Sequence, residues 1–257
     1  MNPSFNRRRA LAAFGSVSLG ALIAACGGGG DSDSTTEVST TDGGTTTVEP
    51  KTTTDASAAD LFDDSSSCTL TVEQTEGPYY FDADSIRSDI REDREGARLR
   101  LAIRVRDADS CEPLKNAVVD LWHCDALGSY SGFEPASGGG PGGGDRTDDD
   151  EKYLRGAQVT NSDGIVEFVT VYPGWYQGRT VHIHGKVHVD NQTALTTQFF
   201  FDDKVSERVY EGSPYSQHSG RDVLNDNDNI FDPSLLLDLA REGDGYLGVI
   251  SLDVKAA

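Results

Sequence analysis

Apolar residues alternate with polar ones through several short stretches of this chain, and the cleanest is residues 97–105. Ala97, Leu99, Leu101, Ile103 and Val105 fall on one side of an extended chain, and Arg98, Arg100 and Arg104 fall on the other. A period of two argues a half-buried strand, here with one wet face. Residues 117–122, 165–172, 181–189, 196–201 and 246–254 read as further strands, the last closing the fold. Between them stand turn signals, among them Asn161-Ser162-Asp163-Gly164 and Pro173-Gly174. A single short helix is predicted within residues 231–241, starting near Pro233. Many short strands and almost no helix predict an all-β fold, an antiparallel β-sandwich with long loops.

The pattern fails at the N-terminus, which divides the chain. Residues 1–26 read as an export signal. Arg7, Arg8 and Arg9 resemble a twin-arginine start, which implies export of an already folded protein. A short apolar run follows and ends Ile23-Ala24-Ala25-Cys26. This resembles a bacterial lipoprotein signal, with Cys26 as the lipid-bearing mature N-terminus on the outer side of the membrane; the alternative is an ordinary cleaved signal. Residues 27–67 are rich in Ser, Thr, Asp and Gly, with Phe62 as the only aromatic, and read as a flexible tether. The remaining residues, 68–257, form the expected domain. Residues 137–150 hold two runs of glycine, Gly138–Gly140 and Gly142–Gly144, and read as a surface insertion, with a flap near a cleft as the other reading.

Charge narrows the partners. The formal net charge is -21, and removing the first 25 residues, whose only charges are three arginines, takes it to -24. Such a chain lacks the clustered Lys and Arg that nucleic acid requires. Three cysteines lie beyond Cys26. Cys111 and Cys124 flank a strand, which puts them about 20 Å apart, so a disulfide is expected to involve Cys68, with its partner open.

The candidate chemistry centres on residues 173–188. On a strand, i and i+2 share a face, so His182 and His184 project side by side, roughly 6.5–7 Å apart at the backbone. One metal ion can take both imidazoles, since metal–nitrogen bonds run about 2.0–2.1 Å. Tyr176 and Arg179 lie in the connection that feeds this strand. His-x-His also occurs on strands that bind nothing. His188 shares the face but lies roughly 13 Å from His184, too far for the same ion. His123 and His218 stand alone and read as structural. Residues 225–229, Asn-Asp-Asn-Asp-Asn, lack the Gly and Glu of a calcium loop and read as a polar turn.

These pieces carry a resemblance. Thr75-Glu76-Gly77-Pro78-Tyr79-Tyr80, Leu121-Trp122-His123-Cys124-Asp125-Ala126 with Gly128-Ser129-Tyr130, Arg155-Gly156, Thr160 with Asp163-Gly164, Pro173-Gly174-Trp175-Tyr176, Arg179 with His182-Ile183-His184, and Thr196-Thr197-Gln198-Phe199 occur in one order. From Leu70 to Val254 the chain resembles the intradiol ring-cleavage dioxygenases of the catechol 1,2- and protocatechuate 3,4- types. The resemblance implies one non-haem Fe(III) held by Tyr130, Tyr176, His182 and His184. Two phenolates and a hydroxide would cancel its three charges, which suits a buried site. It implies further that catechol-type diols react with O2 to give cis,cis-muconate-type diacids. Tyr176 would help remove a substrate proton, Arg179 would stabilise negative charge on the ring, and Gln198 would line the pocket. A tether replaces the helical N-terminal dimerisation segment of the catechol-type enzymes. Two alternatives carry different expectations: an exported sandwich that binds without catalysis, and a zinc hydrolase, which lacks a carboxylate ligand.

Overall fold

The computed structural model describes residues 36–39, 45–48, 58–62, 68–134, 145–147 and 150–255. The expected export signal with Cys26 and the two glycine runs of the insertion lie outside these residues. Thr36–Ser39 (β1) and Thr45–Val48 (β2) pair as an antiparallel hairpin. The remaining strands are Arg98–Asp107 (β3), Val118–Trp122 (β4), Arg155–Val159 (β5), Ile165–Val171 (β6), His182–Val189 (β7), Gln192–Phe200 (β8), Asp238–Glu242 (β9) and Gly245–Val254 (β10). They form two four-stranded sheets, ordered β6-β3-β10-β9 and β5-β4-β7-β8. Leu99, Leu101 and Ile103 of β3 and Leu252 of β10 pack against Val119, Leu121, Ile183 and Phe199 of the other sheet, all fully buried. The fold is thus the expected β-sandwich. One pair departs from the antiparallel expectation: β3 and β10 run parallel, Tyr246 opposite Leu99 through Val254 opposite Asp107.

The outer face of β3 is covered, where the alternation predicts a wet one. Arg104 lies over the Phe62 ring at 4.8 Å, Arg100 bonds Glu242 at 2.6 Å, and Arg106 is paired with Asp253 at 2.8 Å. Phe62 follows a 3-10 turn, Ala58–Leu61, that packs on Ala102 and Ile165. Residues 58–62, read from composition as tether, are therefore docked on this sheet. Their few apolar groups suffice because Ala102 and Ile165 offer a matching apolar spot among the arginines.

The helix also lies elsewhere than predicted. Asp203–Tyr210 (α1) is the α-helix among the described residues, and Asp202 caps it by accepting from Val205 N–H at 3.0 Å. The cap satisfies one of the helix's orphan donors. Within residues 231–241 only Pro233–Leu235 turns, as a 3-10 helix, and the chain then enters β9. Leu235 and Leu237 point inward while Leu236 stays 36% exposed, so the leucine run alternates as a strand does.

Cys68 pairs with Cys111, closing a separation of 43 residues, which stabilises the fold by about 2–4 kcal/mol. Cys124 is buried and free.

Candidate metal centre

Register places the site. Trp122, His184 and Gln198 stand opposite one another across β4, β7 and β8, and His182 stands opposite Phe200. Ile183, between the two histidines, is fully buried in the inter-sheet core. Alternation therefore turns His182 and His184 to the outer face of the β5-β4-β7-β8 sheet. Loops cover that face. The one leaving β4 brings Tyr130, the one entering β7 brings Tyr176, and residues 75–80 bring Tyr79.

Two glycines let the tyrosine loops close on each other. Gly174 N–H donates to Asp125 C=O at 3.0 Å, and a Cβ there would lie 2.5 Å from the Ala126 carbonyl oxygen. Gly128, at φ +88°, leaves no room either, since a Cβ would sit 2.3 Å from the Trp175 carbonyl oxygen. No other residue fits either contact without moving the backbone.

Four polar side chains meet beneath these loops. The Nε2 atoms of His182 and His184 lie 3.1 Å apart, and the Tyr176 hydroxyl lies 3.0 Å from His182 Nε2. The Tyr130 ring stands 5.8 Å from Tyr176 and 6.2 Å from His184, centroid to centroid. Its buried hydroxyl makes no well-formed hydrogen bond. His182 Nδ1 is 2.7 Å from the Thr180 carbonyl, an acceptor, so the ring proton sits on Nδ1 and Nε2 carries a lone pair. Stacking fixes the other rings: Trp122 lies on His184 at 4.9 Å, and Tyr79 on Tyr130 at 4.3 Å, both at 9° between planes.

Burial pushes the Tyr130 and Tyr176 hydroxyls above the usual phenol range, with Tyr176 adding to the effect on Tyr130. It pushes His182 well below the ordinary imidazole value, and His184 likewise, the neighbouring His182 adding to the effect there. All four groups are thus neutral as found. A polyvalent cation bound among them would reverse the effect on the phenols, stabilising the phenolates directly. Two imidazole Nε2 atoms with the Tyr176 hydroxyl at hydrogen-bond distance and a second phenol, Tyr130, beside them are donor types that fit a hard ferric ion. Among the described residues no three His, Cys, Asp or Glu side chains gather at one point, so the donor set depends on the tyrosines.

Arg179 and Gln198 lie alongside. Arg179 Nη2 donates to Gln198 Oε1 at 2.6 Å, and Gln198 Nε2 donates to the Thr75 carbonyl at 2.8 Å. Arg179 Nε donates to Asp228 at 2.9 Å. Asp228 belongs to the stretch read as a polar turn, and its role was missed. It sits 49 residues from Arg179, a separation that no local pattern reports. The other histidines stand apart. His188 Nδ1 lies 3.2 Å from the Thr193 hydroxyl, away from His182 and His184. His123 is fully buried and bonds Thr170 at 2.7 Å, its imidazole held down to about 4 by burial. His218 stacks on Trp175 at 4.1 Å.

Comparison with known proteins identifies the family. The family described as Dioxygenase matches residues 75–210, more than half of the chain. An intradiol ring-cleavage dioxygenase from Tetranychus urticae is 35% identical and superposes with a TM-score of 0.66 over 73% of this chain and 95% of its own. The dioxygenase domain of a carbohydrate-binding fusion protein from Streptomyces sp. SirexAA-E is 30% identical, with a TM-score of 0.55 over 74% of this chain and 100% of its own. A chlorocatechol 1,2-dioxygenase of Rhodococcus opacus is 31% identical over 145 residues, 49% of this chain and 48% of that protein. The chain spans about half the length of the curated relatives it matches. From the match across residues 75–210 and the shared sandwich, the chain belongs to the intradiol ring-cleavage dioxygenase family.

Proposed function

We propose that this protein is a ferric-iron-dependent intradiol dioxygenase that opens catechol-type rings with O2 to give cis,cis-muconate-type diacids. The observation that carries the reading is the convergence of Tyr130, Tyr176, His182 and His184, with the two Nε2 atoms 3.1 Å apart. Ferric iron held by these four would bind both substrate oxygens and draw electron density from the ring. The chain's own residues do the rest. Tyr130 is 3% exposed and wedged under Tyr79, so it stays in place. Tyr176 lies in the connection leading into β7 and is only partly buried, so it is the phenol free to swing aside and take a substrate proton at its oxygen. Arg179, held by Gln198, stands ready to stabilise negative charge on the ring. Trp122, stacked on His184, and Phe200, beside His182, cover the histidine rings.

The test is metal analysis with a visible spectrum of the purified protein, followed by catechol in air. About one iron per chain, a phenolate-to-iron colour and loss of catechol to a ring-opened diacid are expected. A colourless, zinc-loaded protein that leaves catechol intact would overturn the reading. It would favour instead a sandwich that binds without catalysis.

The site's surroundings are also read as exported. The Cys68–Cys111 disulfide supports an oxidising compartment, and lipid at Cys26 would hold the domain to the cell envelope through residues 27–57. Cys26→Ala is expected to move the protein from the membrane fraction to the soluble one with ring cleavage unchanged. Retention in the membrane fraction would count against the anchor.

A further inference from the structure

We propose that Asp228 is a positioning residue that sets the plane of the Arg179 guanidinium for the reaction. Its carboxylate is nearly buried, with the side chain 2% exposed, and is satisfied by three donors. Oδ2 accepts from Arg179 Nε at 2.9 Å and from Thr180 N–H at 2.9 Å, and Oδ1 accepts from Ile230 N–H at 2.8 Å. Gln198 takes the Nη2 end of the same guanidinium at 2.6 Å. A planar fork held at Nε and at Nη2 has no freedom to rotate. This leaves Nη1 as the nitrogen without a hydrogen bond among the described residues.

The same carboxylate reaches the histidines through Thr180. That residue is held by its N–H on Asp228 and by its hydroxyl, which donates to Asn225 at 2.6 Å. Its carbonyl in turn holds His182 Nδ1 at 2.7 Å. Asn225 is itself tied down, donating to the Phe201 carbonyl at 2.8 Å. Residues 225–230 thus form a rigid bracket against the start of β7. Bracket and site meet at Asp228, which touches no candidate metal ligand.

Electrostatics alone predicts the opposite effect. A negative carboxylate beside Arg179 weakens the guanidinium's pull on an anionic ring, so neutralising it would speed the reaction. Positioning predicts a slower one, because a guanidinium free to turn loses its aim. The sign of the change in Asp228→Asn therefore separates the two.

The kinetic arm rests on the dioxygenase reading and uses the iron-loaded full chain with catechol. Asp228→Asn is expected to lower kcat about 10- to 100-fold, with KM within about threefold and iron content unchanged. In an Arg179→Lys background the same substitution is expected to add less than about threefold, since the guanidinium is already gone and Thr180 stays held through its hydroxyl by Asn225. A raised kcat, or losses that multiply in the double variant, would overturn the proposal. The structural arm needs no activity: a crystal structure of Asp228→Asn should show the guanidinium turned and its contact with Gln198 opened beyond about 3.5 Å. An unmoved Arg179 would overturn the proposal. If the wild-type protein leaves catechol intact, the dioxygenase reading fails by itself and the crystal structure decides on Asp228. Should Asp228→Asn fail to fold, Asp228→Glu, which keeps the charge but displaces it by one methylene, is put through the same measurements with the same criteria.

Discussion

His184→Ala is expected to strip the protein of iron, from about one per chain to less than about a tenth, and to lower ring cleavage by more than about a thousandfold. His184 stands in the middle of the site, stacked on Trp122 and 3.1 Å from His182 Nε2. Among the described residues no third His, Cys, Asp or Glu gathers with the two histidines to take its place. Tyr130→Phe is the sharper partner experiment, because it removes one oxygen and nothing else. That hydroxyl is buried without a well-formed hydrogen bond. A buried polar group in this state costs about 1–3 kcal/mol. Metal-free Tyr130→Phe is therefore expected to melt no lower than the metal-free parent. The iron-loaded variant should melt lower than the iron-loaded parent, because a ligand that binds the native state tightly stabilises it by about 2.7 kcal/mol at a hundred times its Kd. Melting curves with and without iron, beside the visible spectrum, read both effects. A metal-free variant much less stable than its parent would mean that the hydroxyl is structural, and the phenolate assignment would fall.

Gly128→Ala is expected to destabilise the fold by about 2–4 kcal/mol and to weaken iron binding together with it. The added methyl meets the Trp175 carbonyl at 2.3 Å, and the residue sits at φ +88°. Both penalties push apart the loops that carry Tyr130 and Tyr176. Gly178 supplies the control. It has the same φ of +88° but nothing within 4 Å of a Cβ. Gly178→Ala is thus expected to carry only the conformational penalty, about 1 kcal/mol. Urea unfolding and iron content of the two variants distinguish steric clash from backbone preference. Equal losses in both would show that the clasp between the loops matters little.

The strands could be read because their alternation is local, and so could His182 and His184, which two residues of strand place on one face. Tyr176 could be singled out from its place in the connection that feeds the histidine strand, but its role as a ligand, and Tyr130 altogether, were reached only through the resemblance, since nothing near Tyr130 in sequence separates it from a rim aromatic. The structure shows why they meet: Gly128 and Gly174 permit a close approach between two loops that are 46 residues apart in their glycines and whose contact no window of sequence contains. The misplaced helix has a similar origin. Leu235, Leu236 and Leu237 suit either a helix or a strand, and the choice was made by a distant partner: Leu236 pairs with Phe200, Leu237 N–H donates to the Phe200 carbonyl at 2.9 Å, and the chain then runs on into β9. The wet face of β3 was misjudged because its arginines find their partners in Glu242, Asp253 and the Phe62 ring, all distant in sequence. Asp228 was passed over for the same reason: its meaning lies in Arg179, not in its neighbours.

The parallel pairing of β3 with β10 bears on how the chain is made. β10 lies inside its sheet, between β3 and β9, yet it is translated after every other described strand. Until residues 245–254 have left the ribosome, β3 lacks its inner neighbour along the whole line from Leu99 to Asp107. Leu101 and Ile103 then have only half a sheet to shield them. A nascent chain in that condition presents an open apolar edge, the kind that recruits chaperones or other nascent chains. Loop closure across nearly the whole domain must precede the pairing, and non-local pairing of this kind favours slow folding. The sheet is therefore completed only when residues 245–254 take their place between β3 and β9.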